Sequence, residues 1–251
     1  MLAANRLQAI RRLLGERPAI RVVELADELQ VSRETVRRDL LALAQVGGLR
    51  RDAARPRSTA GRALDHRDPY AATKVMVAAA AARLVRPGQT VALTAGTTTH
   101  ALARALAWIP GVVIVTNSLP AARLLGSVAP GMDLVLTGGQ PGIVGALLGP
   151  IAVNTVRSLN VDWLFMGANG LDRHTGVTAS DLGEAELHRE WVHHAGNVAV
   201  LADHSKWGVR ALSTVLPLSE VGMLVTDDGI PVEAHRAIRQ RVRELVLAPS
   251  R

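Results

Sequence analysis

Arg33, Thr35, Arg37 and Arg38 stand within one ten-residue stretch, 31–40 (VSRETVRRDL), and their spacing suits the reading of duplex DNA. Val36, Leu40 and Leu43 repeat at i, i+4 and i+7 and give a helix one apolar face. The four polar residues fall largely off that face. Ser32 is placed to cap the helix, its hydroxyl accepting from the free N–H of Thr35. A helix that buries one side and shows arginine near its N-terminal end is what a helix-turn-helix inserts into a major groove. Just beyond, Gly47-Gly48-Leu49-Arg50-Arg51 reads as a basic hairpin or wing, with Arg50 and Arg51 on flanking phosphate.

A second set of residues suits a small anion. Gly96-Thr97-Thr98-Thr99 follows a short β-branched run and opens a helix, offering backbone donors, hydroxyls and a helix dipole to a phosphate. Similar small polar clusters follow four more such runs: Thr116-Asn117, Gly138-Gly139, Gly167 to Gly170 with Asn169, and Asp203 to Lys206. Ligands of open α/β sheets bind beyond the carboxyl ends of the strands, so these clusters predict a shared cleft. Lys206 is one of two lysines beside 27 arginines, and a compact ammonium suits a phosphate or carboxylate. Lys74, the other lysine, is read as a surface or domain-contact residue of a helix. Glu184 and Glu186 first suit the positive end of their helix; a ligand hydroxyl held by Glu184 is the second reading. His188, His193 and His194 on the same helix are read as a solvated face, without a set of metal ligands.

The elements that must position these groups fall in two textures. Residues 5–14 place Leu7, Ile10, Leu13 and Leu14 on one helical face, and residues 22–29 place Leu25, Ala26 and Leu29 on another. With the 31–40 segment they form a bihelical DNA-binding motif preceded by a helix. From residue 71, helices are predicted over 71–85, 98–108, 120–128, 151–159, 182–194 and 232–242, and strands over 90–93, 112–115, 133–136, 163–166, 198–202, 223–225 and 244–247. Apolar strands alternating with helices indicate an α/β, mostly parallel sheet covered on both faces. The expected organisation is a winged helix-turn-helix at 1–57, a linker at 58–70 and a larger ligand-sensing domain at 71–251.

Charge separates the same two regions. Residues 1–67 hold 14 Arg against 8 Asp plus Glu, a net of +6, whereas the rest of the chain contributes only +1 to the total of +7. That asymmetry is the footprint of a polyanion partner. With no cysteine, disulfides, thiol nucleophiles and Cys-ligated metals are excluded. One Phe, one Tyr and four Trp argue against a stacking platform for single strands. The opening segment is an arginine-bearing amphipathic helix with no apolar leader core, and the longest apolar run is too short for a bilayer. The expectation is a cytoplasmic protein without a membrane partner.

With these residues in hand, the chain resembles the DeoR family of bacterial transcriptional regulators over nearly its full length. The resemblance is carried by Glu24-Leu25-Ala26 through the 31–40 segment, then by Lys74, Gly96 to Thr99, Thr116-Asn117, Gly138-Gly139, Gly167 to Gly170, Glu184-Ala185-Glu186, and Asp203-His204-Ser205-Lys206-Trp207-Gly208. It implies a sensor domain with the fold of ribose-5-phosphate isomerase, a phosphorylated sugar or related metabolite as effector, no cofactor, and a homo-oligomer, dimer or tetramer. Together with the residue reading it predicts a repressor of sugar metabolism. The alternative is a sugar-phosphate isomerase-like enzyme with a DNA-binding appendage. The chain departs from the family where Thr94 replaces the usual Asp before the Gly-Thr-Thr loop, where Asp52-Ala53-Ala54-Arg55 replaces a His-Gly-Gly-Ala run, and where Gln140-Pro141 follows the glycine pair.

Overall fold

The structure, a computed structural model, describes residues 9, 10, 13, 22–29, 31, 36, 68–142 and 145–249. The chain divides into two compact units, Met1–Ser58 and Thr59–Arg251. In the first unit, helix α1 (Val22–Leu29) buries Leu25 and Ala26, and the Val31 amide closes its end on the Ala26 carbonyl. Ile10, Leu13 and Val36 are helical and buried too, as expected for these members of the apolar faces.

The second unit follows the alternation in the sequence. Helix α2 (Ala71–Ala82) leads to β1 (Thr90–Leu93), α3 (Thr97–Leu106), β2 (Val113–Thr116), α4 (Leu119–Val128) and β3 (Leu134–Leu136). Then come the short β4 (Gln140–Pro141) and β5 (Leu147–Leu148), α5 (Pro150–Arg157), β6 (Val161–Gly167), β7 (Gly170–Asp172), β8 (Gly176–Ala179) and α6 (Leu182–His193). β9 (Ala195–Leu201), β10 (Ser213–Leu216), β11 (Met223–Asp227), α7 (Val232–Arg239) and β12 (Glu244–Ala248) complete it.

Seven strands form one parallel sheet in the order β12-β11-β9-β6-β1-β2-β3. Alternate residues of each strand feed opposite faces. Val91 and Leu93 of β1 join the core under α2, α3 and α4, while Ala92 joins the core under α5, α6 and α7. Likewise, Phe165 of β6 faces the first set of helices, and Leu164 and Met166 face the second. Both faces are therefore covered, which is why the strands read as continuous apolar runs.

Sequence reasoning did not anticipate two small antiparallel sheets, β10-β8-β7 and β4-β5. Their strands have two to four residues, most of them beginning with or bordered by glycine, so they carry turn signals and too few alternations to read as strands. Gly170 is required by close approach, because a Cβ there would sit 2.2 Å from the Val209 carbonyl oxygen.

Candidate ligand cleft of the sensor unit

The cleft opens where the order of the sheet reverses. β1 lies between β6 and β2, and the loops after β1, β6 and β9 converge beyond the carboxyl ends of those strands. They enclose about 320 Å³, enough for a small metabolite.

From β1 the chain enters α3 through Gly96, and no side chain caps the helix. The first-turn amides of such a helix lack intrahelical partners and carry its positive dipole end. Gly96, Thr97 and Thr98 all line the cleft. Asn117 fixes this loop from behind: its Oδ1 accepts from the Ala95 amide at 2.9 Å and its Nδ2 donates to the Leu147 carbonyl at 3.2 Å. Thr94 is fully buried, and its hydroxyl accepts from the Gly167 amide at 3.2 Å. This residue stitches the end of β1 to the end of β6.

The loop after β9 carries Lys206. Asp203 accepts from the Ser205 amide and hydroxyl through Oδ1. His204 donates its backbone N–H to Asp227 Oδ1 at 2.7 Å and pairs through Nδ1 with Asp227 Oδ2 at 2.6 Å. The Gly208 amide donates to the Leu171 carbonyl. These bonds hold the half-buried Lys206 at the cleft rim. Asp203 is 1% exposed, lines the cleft, and has no hydrogen-bond partner at Oδ2.

Lys74 corrects the sequence reading. It is buried, lines the cleft, and pairs with Asp68 at 2.5 Å. The Asp68 carboxylate also accepts from the Tyr70 amide, and Tyr70 packs edge-on against His204. Although burial opposes ionisation of Asp68, its bonds to Lys74 and Tyr70 outweigh that and lower its pKa.

α6 supplies the remaining wall. Asp181 caps it by accepting from the Gly183 and Glu184 amides. Burial, and secondarily the Asp181 carboxylate, raise the Glu184 pKa to about 7. One turn on, His188 overturns the expected solvated face: it is 6% exposed, lines the cleft, and burial lowers its pKa to about 4. The periodicity that puts Ala185, Leu187 and Trp191 in the core leaves positions 184 and 188 together on the cleft side, a signal available from i, i+4 spacing. Among the described residues, no group of His, Asp and Glu is placed to hold a metal ion.

Six expected effector residues thus line one space: Gly96, Thr97, Thr98, Asn169, Glu184 and Lys206. Five stand outside its lining. Thr99 bonds back to the Gly96 carbonyl, Thr116 bonds to the Leu93 carbonyl, and Asn117 supports the loop from behind. Gly138 and Gly139 form the positive-φ turn after β3. Lys74, His188, Asp203 and Arg210 line the cleft without having been among the expected effector residues. Ser32, Arg33, Thr35, Arg37, Arg38, Arg50 and Arg51, the expected DNA contacts, lie outside the described residues.

Comparison with known proteins covers both units. The DeoR-like helix-turn-helix domain matches residues 6–55, and the DeoR C terminal sensor domain matches residues 70–228. The HTH-type transcriptional regulator YulB of Bacillus subtilis is 30% identical, over 99% of this chain and 98% of its own. The glycerol-3-phosphate regulon repressor of Haemophilus influenzae is 30% identical over 98% of each. Among solved structures, ribose 5-phosphate isomerase A of Methanocaldococcus jannaschii overlaps 55% of each chain with a TM-score of 0.41 and 21% identity. With both family domains matched in chain order and relatives alike from end to end, the chain belongs to the DeoR family of transcriptional regulators.

Proposed function

We propose that the protein is a DNA-binding repressor whose affinity for its operator is set by a phosphorylated, sugar-type metabolite held in the cleft between β1, β6 and β9. Residues 1–57 bind duplex DNA, with Arg33, Thr35, Arg37 and Arg38 at the groove, the helix capped by Ser32, and Arg50 and Arg51 on phosphate. Residues 58–70 link them to the sensor at 71–251. The protein acts as a homo-oligomer, dimer or tetramer, in the cytoplasm, and turns nothing over. The observation that carries the effector reading is the uncapped N-terminus of α3 facing the same space as the Lys206 ammonium. Backbone donors, a helix dipole and a point cation together suit a phosphate monoester. The name of the Haemophilus relative, a repressor of a glycerol-3-phosphate regulon, supports the same class of effector.

A ligand shifts DNA binding only by its differential affinity for the DNA-competent and incompetent states. The test is a mobility-shift titration of the full chain on the DNA upstream of its own coding sequence, with and without sugar phosphates. Salt-sensitive binding is expected, altered by at least one phosphorylated ligand. Lys206→Ala should bind the same DNA and lose the response. Absence of any salt-sensitive binding to that DNA refutes the regulator, and indifference of the complex to every sugar phosphate refutes the effector.

A further inference from the structure

Lys206 and α3 account for one end of a ligand but not for the α6 wall. There His188 is nine-tenths buried, and its imidazole makes no hydrogen bond with any described group; Nδ1 is enclosed without a partner. The ring nevertheless lines the cleft, and a ligand group that pairs with it recovers part of the cost of burying an unpaired polar ring. Held neutral by burial, the ring offers one N–H and one acceptor nitrogen, a match for hydroxyl groups. Glu184 stands one turn away on the same wall and accepts from a hydroxyl as a carboxylate, or donates to one when protonated.

The charges of the lining set a second condition. Lys74 is matched by Asp68, and Arg210 by Asp172 at 3.1 Å. Among the described lining residues, Lys206 is then the cation without an ion pair, and the carboxyls of Asp203 and Glu184 share the space. One anionic group on a ligand finds a partner at Lys206 and α3. A second, at the α6 end, meets carboxyl groups and a neutral ring.

We infer that His188, with Glu184, is the specificity-determining pair of this cleft: it reads hydroxyls on the uncharged end of a phosphate monoester and disfavours ligands with a second anionic group. The inference deepens the anion-site reading above and rests on it.

The experiment measures binding by calorimetry to the full-length protein and to His188→Leu and His188→Gln. Its probes are inorganic phosphate and matched pairs of esters: glycerol 3-phosphate with 3-phosphoglycerate, glucose 6-phosphate with 6-phosphogluconate, and fructose 6-phosphate with fructose 1,6-bisphosphate. At least one neutral-ended ester should bind more tightly than inorganic phosphate and about tenfold more tightly than its doubly anionic twin. His188→Leu should weaken that ester by about tenfold and leave inorganic phosphate unchanged, and His188→Gln should restore part of the loss. Equal binding of the twins, or no ester tighter than inorganic phosphate, overturns the inference. So does a His188→Leu loss that is absent, or shared equally by ester and phosphate. If inorganic phosphate and every ester fail to bind the wild type, the anion-site reading itself fails.

Discussion

Burial moves two titratable side chains on the same wall in opposite directions, and stability should record it. His188 has an ordinary value of 6.5, which burial lowers to about 4 in the fold. Between these limits the unfolded chain binds a proton that the folded chain does not, so this residue costs stability as pH falls through the window. Glu184 has an ordinary value of 4.5, raised to about 7 by burial and by Asp181. Between those limits the folded chain keeps a proton that the unfolded chain has released. Its contribution is complete below pH 4.5 and is lost as pH rises through about 7. In the wild type the two slopes oppose each other between pH 4.5 and 6.5. His188→Leu should therefore unmask a melting temperature that falls as pH rises across that range. Glu184→Gln should unmask one that rises. Thermal unfolding of the three proteins across the window checks this, and parallel profiles would refute the burial of His188 and the half-buried placement of Glu184.

Elements make the cleft by where they end. The parallel sheet was legible because runs such as 90–93 and 198–202 are apolar on both faces and alternate with helical patterns. Glycine and threonine clusters marked the strand ends for the same reason. Which clusters meet was not legible, because that depends on strand order. The loops after β1, β6 and β9 share a cleft since those strands are neighbours, while Thr116 ends β2, and Asn117, Gly138 and Gly139 follow β2 and β3, on the far side of β1. Asn117 nevertheless acts on the cleft from there, joining the loop of α3 to β5. Asn117→Ala leaves the Ala95 amide and the Leu147 carbonyl without this side chain, at a cost of about 2–3 kcal/mol. The expected result is a lower midpoint in chemical denaturation, together with weaker phosphate binding from a looser loop. Asn117→Asp keeps the acceptor for Ala95 but not the donor to Leu147, so it should retain more of the phosphate affinity than Asn117→Ala. Equal loss by the two variants would show that the Ala95 contact does not position the loop.

At the scale of the whole molecule, charge and ligand chemistry are divided between two regions. A net of +6 within residues 1–67 leaves the remaining 184 residues almost neutral, so salt should act on DNA binding far more than on sensing. Each phosphate contact released by added salt contributes about 0.9 to the slope of log affinity against log salt. Arg50→Ala should lower that slope by about 0.9 if one protomer engages DNA, and by about 1.8 if a two-fold dimer engages two half-sites. The loss should be the same on operator and on unrelated DNA, because phosphate contacts carry no sequence information. A base-reading arginine behaves differently. If Arg37 or Arg38 contacts guanine, its replacement by Ala costs about 1–3 kcal/mol and relaxes preference at one position of each half-site. None of these variants alters the sensor, so phosphate affinity in the absence of DNA should stay at the wild-type value. Mobility shifts at four salt concentrations on two DNA sequences separate these outcomes. An Arg50→Ala protein with an unchanged slope would remove the wing from the phosphate backbone, and a slope lowered on operator alone would make Arg50 a reader of sequence.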